Sequence, residues 1–144
     1  MSARSKARKR ALDVLYAAEA RGVEPTAVLA ERLDDPEAAP VGPFAEELVR
    51  GVAEHTARID ELIAQHAIDW TLPRMPAVDR AILRIAVFEL VYAEGVDAPV
   101  VIDEAVELAK SLSTDNSPRF VNGVLGQIVA IAPQLRGAGA APPA

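Results

Sequence analysis

The stretch from residue 99 to residue 125 most constrains the fold, because it reads as two helices with one short polar connection. Pro99 suits the first turn of a helix, where its missing N–H would have no partner anyway. Apolar residues then recur at helical spacing, with charged residues on the other side. Residues 111–117 are mostly turn and cap formers, and Ser117 followed by Pro118 predicts the start of a second helix. The stretch therefore predicts a helical hairpin with an exposed polar elbow.

Asn122 and Gly123 interrupt the apolar run of the second helix. A glycine inside a helix costs about 1 kcal/mol relative to alanine, and a buried asparagine needs hydrogen-bond partners for its amide. We expect Gly123 to mark a close contact between helices and Asn122 to bond to a neighbouring loop. The alternative is a polar group held for a ligand.

The rest of the chain also shows helical periodicity and almost no strict alternation of the kind that strands show. Its 144 residues are rich in Ala, Val, Leu and Ile, and they suffice for one domain with a sizeable core. We expect an all-α, single-domain helical bundle of about six or seven helices. The other predicted helices run from the basic start to Arg21–Gly22, from Pro25 to Leu33, from Phe44 to about Ala67 and from Asp79 to Tyr92.

The predicted helix over residues 79–92 is apolar nearly all round, which is typical of a central buried helix. Its charged residues Arg80, Arg84 and Glu89 are expected to mark one wet edge. Trp70, the only tryptophan, stands in the proline-braced connection before this helix. We expect its large ring to fill a junction between helices.

No motif in the sequence predicts catalysis, a cofactor or a metal. Without cysteine there is no disulfide, thiolate nucleophile or cysteine-based zinc site. Phosphate-cradling glycine loops, nucleophile elbows and zinc-protease motifs are missing too. His55 and His66 lie eleven residues apart with no third ligand nearby, and the acidic residues Asp103, Glu104 and Glu107 read as a solvated face. The sequence therefore favours a binding module.

The ends of the chain give two further expectations. No apolar run approaches the roughly 18 residues of a membrane span, and the basic start lacks the apolar core of a signal peptide. We therefore expect a cytoplasmic protein. Because the segment after Pro133 is low in complexity, we expect a domain over residues 1–136 and a disordered tail over residues 137–144.

The charge of the chain is strongly polarised. Residues 1–10 hold five of the fifteen Lys and Arg residues and no acid, whereas residues 11–144 hold ten basic and twenty-one acidic residues. Such asymmetry in a chain of net charge −6 indicates an anionic partner, such as RNA or DNA, at the basic end. The alternative is a solvated leader that only aids solubility. Tyr16, the first aromatic residue downstream, is either a base-stacking or a core residue.

Three blocks of the sequence resemble the NusB transcription antitermination factor family. They are the basic start with Ala11–Tyr16, the block Asp69–Leu90 and the block Pro99–Leu125. Together they cover most of the chain in the family's order and spacing, whereas residues 22–68 match mainly by helical pattern. The resemblance implies two helical subdomains without catalytic activity. It also implies binding of the boxA element of rRNA leader transcripts together with NusE, a small ribosomal subunit protein, and loading onto RNA polymerase with other Nus factors.

The resemblance also implies roles for individual residues. Phosphate contacts fall to the basic residues of the leader, Arg4, Lys6, Arg8, Lys9 and Arg10, although Ser5 stands where basic residues are common. Other RNA-binding positions are Tyr16, Lys110, Asn116, Ser117, Arg119 and Phe120, of which Phe120 is also spaced as a core residue. The positions that match the side facing NusE are Asp79, Arg80 and Arg84. Asp103 stands where asparagine is frequent, a change that we do not expect to alter binding.

Two other functions stay open at this point. One is a NusB-like RNA-binding module of an rRNA methyltransferase, and the other is a helical adaptor that binds only protein. Sequence-specific, salt-sensitive RNA binding would distinguish the antitermination factor from the adaptor. The apolar helices also leave open a homodimer that covers the RNA-binding face.

Overall fold

The computed structural model describes residues 2–140, with side chains for residues 2–137. Over this range the chain forms six helices and no strand, which confirms the all-α prediction. The helices are α1 (Ala3–Arg21), α2 (Pro25–Asp34), α3 (Pro43–His66), α4 (Ala77–Val91), α5 (Ala98–Leu112) and α6 (Ser117–Ala140). None of these helices is long and apolar enough to cross a membrane.

Local signals in the sequence explain several helix ends. The hydroxyl of Ser2 caps α1 by accepting a 3.0 Å hydrogen bond from the amide of Ser5. The same helix ends at Gly22, whose φ of 67° lies in the left-handed region that glycine adopts without strain. Prolines open α2, α3 and α5, where a missing N–H costs nothing.

The central helix is α4, as its nearly continuous apolar sequence predicts. Eleven of its fifteen residues are buried, and it packs against α1, α3, α5 and α6. The helices α1, α2 and α3 pack on one another as one group, and α5 packs on α6 as a second group. Because α4 contacts both groups, it joins the two helical subdomains.

The helices α3 and α4 approach closely at Gly51. A Cβ atom built on Gly51 would lie 2.1 Å from Cε1 of Phe88, so only glycine leaves room for that ring. Four residues later, His55 departs from helical dihedral angles and kinks α3. The ring of His55 stacks on Tyr92, with centroids 3.8 Å apart. These contacts fix α3 against the end of α4.

The expected helix contact at Gly123 is wrong. Apart from its chain neighbours and the backbone of α6 itself, no described atom lies within 4 Å of a Cβ built on Gly123, and Asn122 beside it is exposed. The buried face of α6 is formed instead by Val121, Val124 and Leu125. Residues 122 and 123 therefore face solvent, because helical periodicity places them between successive buried positions.

The expected disordered tail over residues 137–144 is wrong in its first part. The helix α6 continues through the exposed residue Pro133 to Ala140, so residues 137–140 are helical. Residues 141–144 lie outside the described part of the chain. Beyond the proline, Arg136 donates to the carbonyl oxygens of Glu89 and Leu90 in the last turn of α4, and to that of Ala93 just after the helix.

Candidate nucleic-acid interface

The basic leader, residues 1–10, is helical from Ala3 onward. Its exposed cations are Arg4, Lys6 and Lys9, and Arg10 is partly exposed. The guanidinium of Arg4 lies over the ring of Phe44, 4.5 Å from its centroid. The leader therefore presents its cations from a helix that is already packed on the rest of the fold.

Arg8 departs from the expected row of phosphate-binding cations. It is 5% exposed, and its Nε and one terminal nitrogen donate to the two carboxylate oxygens of Glu89 at 2.9 and 2.8 Å. Its other terminal nitrogen donates to Glu104 at 3.1 Å. The hydrogen bonds to Glu89 raise the pKa of Arg8 despite its burial. This geometry does not fit the expectation that Arg8 is a surface cation. It does not fit the expectation that Glu89 is a solvent-exposed charge of α4 either, because the two charges are buried and neutralise each other inside the fold.

Two of the expected RNA-binding side chains lie on the surfaces of α1 and α5. Tyr16 is 47% exposed, and it lies seven residues after Lys9, hence on the same face of α1. Lys110 is exposed near the end of α5, with its amine 3.3 Å from Glu107. Both side chains are therefore open to a ligand.

The elbow between α5 and α6, residues 113–117, is held by hydroxyl groups. The Oγ of Ser117 accepts a 3.2 Å hydrogen bond from the amide of Thr114 and donates to the Oγ of Ser113 at 3.0 Å. Ser113 in turn donates to Oδ1 of Asp79, in the first turn of α4. Asp79 and Ser117 are both fully buried, so in this structure they support the elbow instead of facing a ligand or a partner.

A groove of about 460 Å³ opens between the end of α3 and the start of α6. Trp70 and Phe120 meet in it edge to face, with ring centroids 4.8 Å apart, and Phe120 is 8% exposed. The side chain of Ile68, 83% exposed, stands at its rim. The full lining is His66, Ile68, Asp69, Trp70, Asn116, Arg119, Phe120, Gly123, Val124 and Gln127.

The groove brings together residues that are far apart in the sequence. Of the expected RNA-binding residues, it gathers Asn116, Arg119 and Phe120 in one place, and it adds Trp70 from the connection between α3 and α4. It does not include Ser117 or the leader. Sequence reasoning missed Ile68 and Gln127 as lining residues, although an apolar residue just beyond the end of α3 was a signal for Ile68.

The expected partner-binding cations Arg80 and Arg84 belong to an ion-pair network. Arg84 binds Asp60 through two hydrogen bonds of 2.8 and 3.0 Å, and both arginines bind Glu19. Burial lowers the pKa of Arg84, but its bonds to Asp60 and Glu19 outweigh this and raise the pKa overall. The hydrogen bond from Arg80 lowers the pKa of Glu19. The network ties α1, α3 and α4 together, with its charges balanced inside the chain.

Comparison with known proteins supplies the identity of this fold. The profile of the NusB family matches residues 5–130. The transcription antitermination protein NusB of Saccharopolyspora erythraea is 55% identical over 137 residues, which are 94% of this chain and 93% of that protein. The chain belongs to the NusB family.

Solved structures of the NusB family share the same helical fold. The NusB protein of T. maritima superposes with a TM-score of 0.81 at 33% identity, over 95% of this chain and 98% of that one. A NusB chain crystallised with NusE and double-stranded RNA superposes with a TM-score of 0.77 at 29% identity, over 88% of this chain and 96% of that one. The NusB fold therefore positions the leader, the elbow and the groove of this chain.

Proposed function

We propose that this chain is a transcription antitermination factor that binds boxA RNA of rRNA leader transcripts together with NusE. Its membership of the NusB family supports this proposal, since a relative that is 55% identical carries the antitermination function in its name. In this role it acts in the cytoplasm by binding alone, without catalysis, and joins RNA polymerase with other Nus factors. The observation that carries RNA binding is the groove, in which two aromatic rings stand beside an amide and a guanidinium.

The groove offers the chemistry that a single-stranded base requires. Proteins recognise unpaired bases by stacking on aromatic rings or guanidinium planes and by hydrogen bonds to the base edges. Trp70 supplies a partly exposed ring, Arg119 an exposed guanidinium, and Asn116 and Gln127 exposed amides. Phe120 contributes mainly as a buried support for Trp70. We propose that one base of the RNA enters this groove.

The leader supplies the affinity that does not depend on sequence. Contacts between cations and phosphates release counterions, so the affinity falls as salt rises. We assign these contacts to the exposed or partly exposed cations Arg4, Lys6, Lys9 and Arg10, with Lys110 as a further contact. Tyr16, on the face of Lys9, is open for stacking. Arg8, Ser117 and Asp79 are left out of the contact surface because their side chains are buried.

For NusE we propose the side of the molecule where α1 and α4 meet. Arg80 and Arg84 are partly exposed there and bridge to Glu19 and Asp60. Because these charges already balance one another, the network offers a partner a fixed pattern of hydrogen-bonding groups instead of a strong net charge.

A matched pair of glycines tests the groove directly. Gly123 lines it, whereas Gly126 lies one helical turn later outside its lining. Apart from chain neighbours and the backbone of α6 itself, no described atom lies within 4 Å of a Cβ built at either position. Both Gly123→Ala and Gly126→Ala are expected to stabilise α6, by up to about 1 kcal/mol. Only Gly123→Ala places a methyl group in the groove, so it is expected to weaken boxA RNA binding by about three- to tenfold.

The measurement is a fluorescence anisotropy titration with labelled single-stranded boxA RNA, alongside thermal melting of each variant. Weaker binding by Gly123→Ala alone, with both variants at least as stable as the unmodified chain, would support the groove. Equal affinities for the two variants would remove the groove from the proposal. The absence of any boxA binding by the unmodified chain with NusE present would leave a protein-only adaptor as the better explanation.

A further inference from the structure

The basic leader is helical although its composition is that of a solvated segment. Residues 2–10 contain five basic residues and no large apolar residue, so packing of apolar side chains alone does not explain their order. The contacts that hold this segment come from polar groups. The carboxylates of Glu89 on α4 and Glu104 on α5 bind Ser5 and Arg8, a set that we name the Arg8 clamp.

The hydrogen bonds of the Arg8 clamp hold the leader in one position relative to α4 and α5. Arg8 forms a two-bond pair with Glu89, a residue that is 1% exposed. Ser5 donates to the same Glu104 oxygen that Arg8 reaches with its remaining nitrogen. A planar guanidinium held in this way fixes both the rotation and the distance of its helix. The clamp therefore determines which face of the leader is turned outward.

Burial of these charges is costly unless every partner is present. Removal of one member of a buried ion pair leaves the other charge without compensation. Loss of the Glu89 charge inside the fold is therefore expected to loosen the attachment of the leader at the surface. Arg4 contacts the same part of the fold. Its guanidinium and that of Arg8 both lie over the ring of Phe44, at 4.5 and 5.5 Å from the centroid.

We propose that Arg8 and Glu89 are positioning residues for RNA binding: their buried pair orders the leader so that Arg4, Lys6, Lys9 and Arg10 meet phosphates as one rigid row. This inference rests on the proposed RNA-binding function. It differs from a direct role of Arg8 in one respect that can be measured. A cation that contacts phosphate is helped by the removal of a nearby carboxylate, whereas a clamped leader is harmed by it.

The decisive variant is Glu89→Gln, which removes a negative charge and adds none. We expect the variant to bind single-stranded boxA RNA about three- to tenfold more weakly, because a loosened leader aligns fewer cations with phosphates. The slope of log affinity against log salt should become shallower by about 0.7 for each phosphate that the leader no longer neutralises, although no cation has been removed. A decrease in global stability alone would leave this slope unchanged.

Glu107→Gln is the matched control. Glu107 is an exposed carboxylate on α5 whose partner is Lys110, so this substitution removes the same charge without touching the Arg8 clamp. We expect RNA binding by this variant to be unchanged or slightly tighter. The double variant Arg8→Ala with Glu89→Gln should bind no more weakly than Arg8→Ala alone, because the two residues act through one joint.

Hydrogen exchange of the free chain tests the clamp without RNA. In Glu89→Gln the amides of residues 6–10 should exchange about tenfold faster or more, while those of α4 keep their protection. If Glu89→Gln fails to fold, Glu104→Gln replaces it, since Glu104 is only partly buried and both Ser5 and Arg8 bond to its carboxylate.

Each result has a definite meaning. Weaker RNA binding and an unprotected leader support the positioning role. RNA binding that is unchanged or tighter in Glu89→Gln, or a leader that keeps its protection, overturns it. If the unmodified chain does not prefer boxA RNA, the proposed function fails, and hydrogen exchange alone still decides whether the clamp orders the leader.

Discussion

At the scale of single residues, the structure differs from the prediction of the sequence pattern mainly at buried polar side chains. Arg8, Glu89, Asp79 and Ser117 all lie inside the fold, although charge and hydroxyl groups usually indicate a surface. Each has a partner from another helix or from the elbow, except that Oδ2 of Asp79 has none among the described residues. Hydropathy alone cannot reveal such partners, because they come together only in the folded chain.

Gly51 offers a prediction at this scale. Gly51→Ala brings a methyl group against the ring of Phe88, so we expect the variant to lose about 1–3 kcal/mol of unfolding free energy in spite of its better helix propensity. The measurement is chemical denaturation followed by circular dichroism. Gly126→Ala is the control, since the space around it is open, and it should be as stable as the unmodified chain or more so. Equal stabilities for both variants would show that the Phe88 ring yields without cost.

Glu19 gives a prediction about pH. Because Arg80 lowers the pKa of Glu19 in the folded chain, the ionised carboxylate stabilises the fold above the ordinary glutamate pKa of 4.5, and this contribution is lost as the pH falls through the lower folded pKa. Glu19→Gln should therefore cost about 0.5–1 kcal/mol near neutral pH, a range reduced for partial exposure. The difference should shrink below about pH 4.

The check is a set of denaturation curves between neutral and acidic pH for both chains. Glu61→Gln serves as the control, since among the described residues this exposed carboxylate pairs with Arg58 alone, one turn away on the same helix. A stability difference for Glu19→Gln that stays constant down to acidic pH would contradict the role given to its ionised form.

At the scale of elements, periodicity and capping residues predicted the helices well. The predicted starts at Pro25 and Phe44 lie within one residue of the observed ones, and Gly22 terminates α1 as expected. The central position of α4 also followed from its apolar surface. The end of α6 did not follow from the sequence. A proline on an exposed face removes one hydrogen bond, but this loss does not outweigh the contacts that later residues of the helix make. Those contacts are non-local, and the sequence pattern does not contain them.

Arg136 makes the contacts that explain the longer α6. It donates to the carbonyl oxygens of Leu90 at 2.8 Å and Glu89 at 2.9 Å, which lie in the last turn of α4. Its replacement, Arg136→Ala, should cost about 1–3 kcal/mol of unfolding free energy, since carbonyl groups at a helix end lose a charged donor. Arg50→Ala is the control, because the exposed pair with Glu46 is worth at most about 0.5 kcal/mol. Similar losses in urea denaturation would contradict the capping role.

The candidate site was predictable only in part, again because the sequence pattern does not contain non-local contacts. The elbow followed from its turn-forming residues, and Arg119 and Asn116 are exposed there as a binding role requires. The groove did not follow, because it forms between the end of α3 and the start of α6, some fifty residues apart in the chain. Trp70 was expected to fill a junction between helices, and it stands against Phe120 at the boundary of that groove.

At the scale of the whole molecule, the charge distribution and the fold support different roles for the leader and the groove in RNA binding. The leader concentrates cations on one helix in an otherwise acidic chain, and the groove adds aromatic and amide groups. Cations give affinity that depends on salt, whereas base contacts give preference for one sequence. An RNA-binding factor of this design should therefore lose affinity for every RNA at high salt while keeping its preference for the right one.

The central claim is tested most directly by comparing boxA RNA with a scrambled RNA of the same composition. Fluorescence anisotropy would be measured at two salt concentrations, with and without NusE. We predict tighter binding to boxA at both salt concentrations, a preference that NusE increases, and weaker binding to both RNAs at high salt. Equal affinities for the two RNAs with NusE present would contradict the claim that this chain reads boxA.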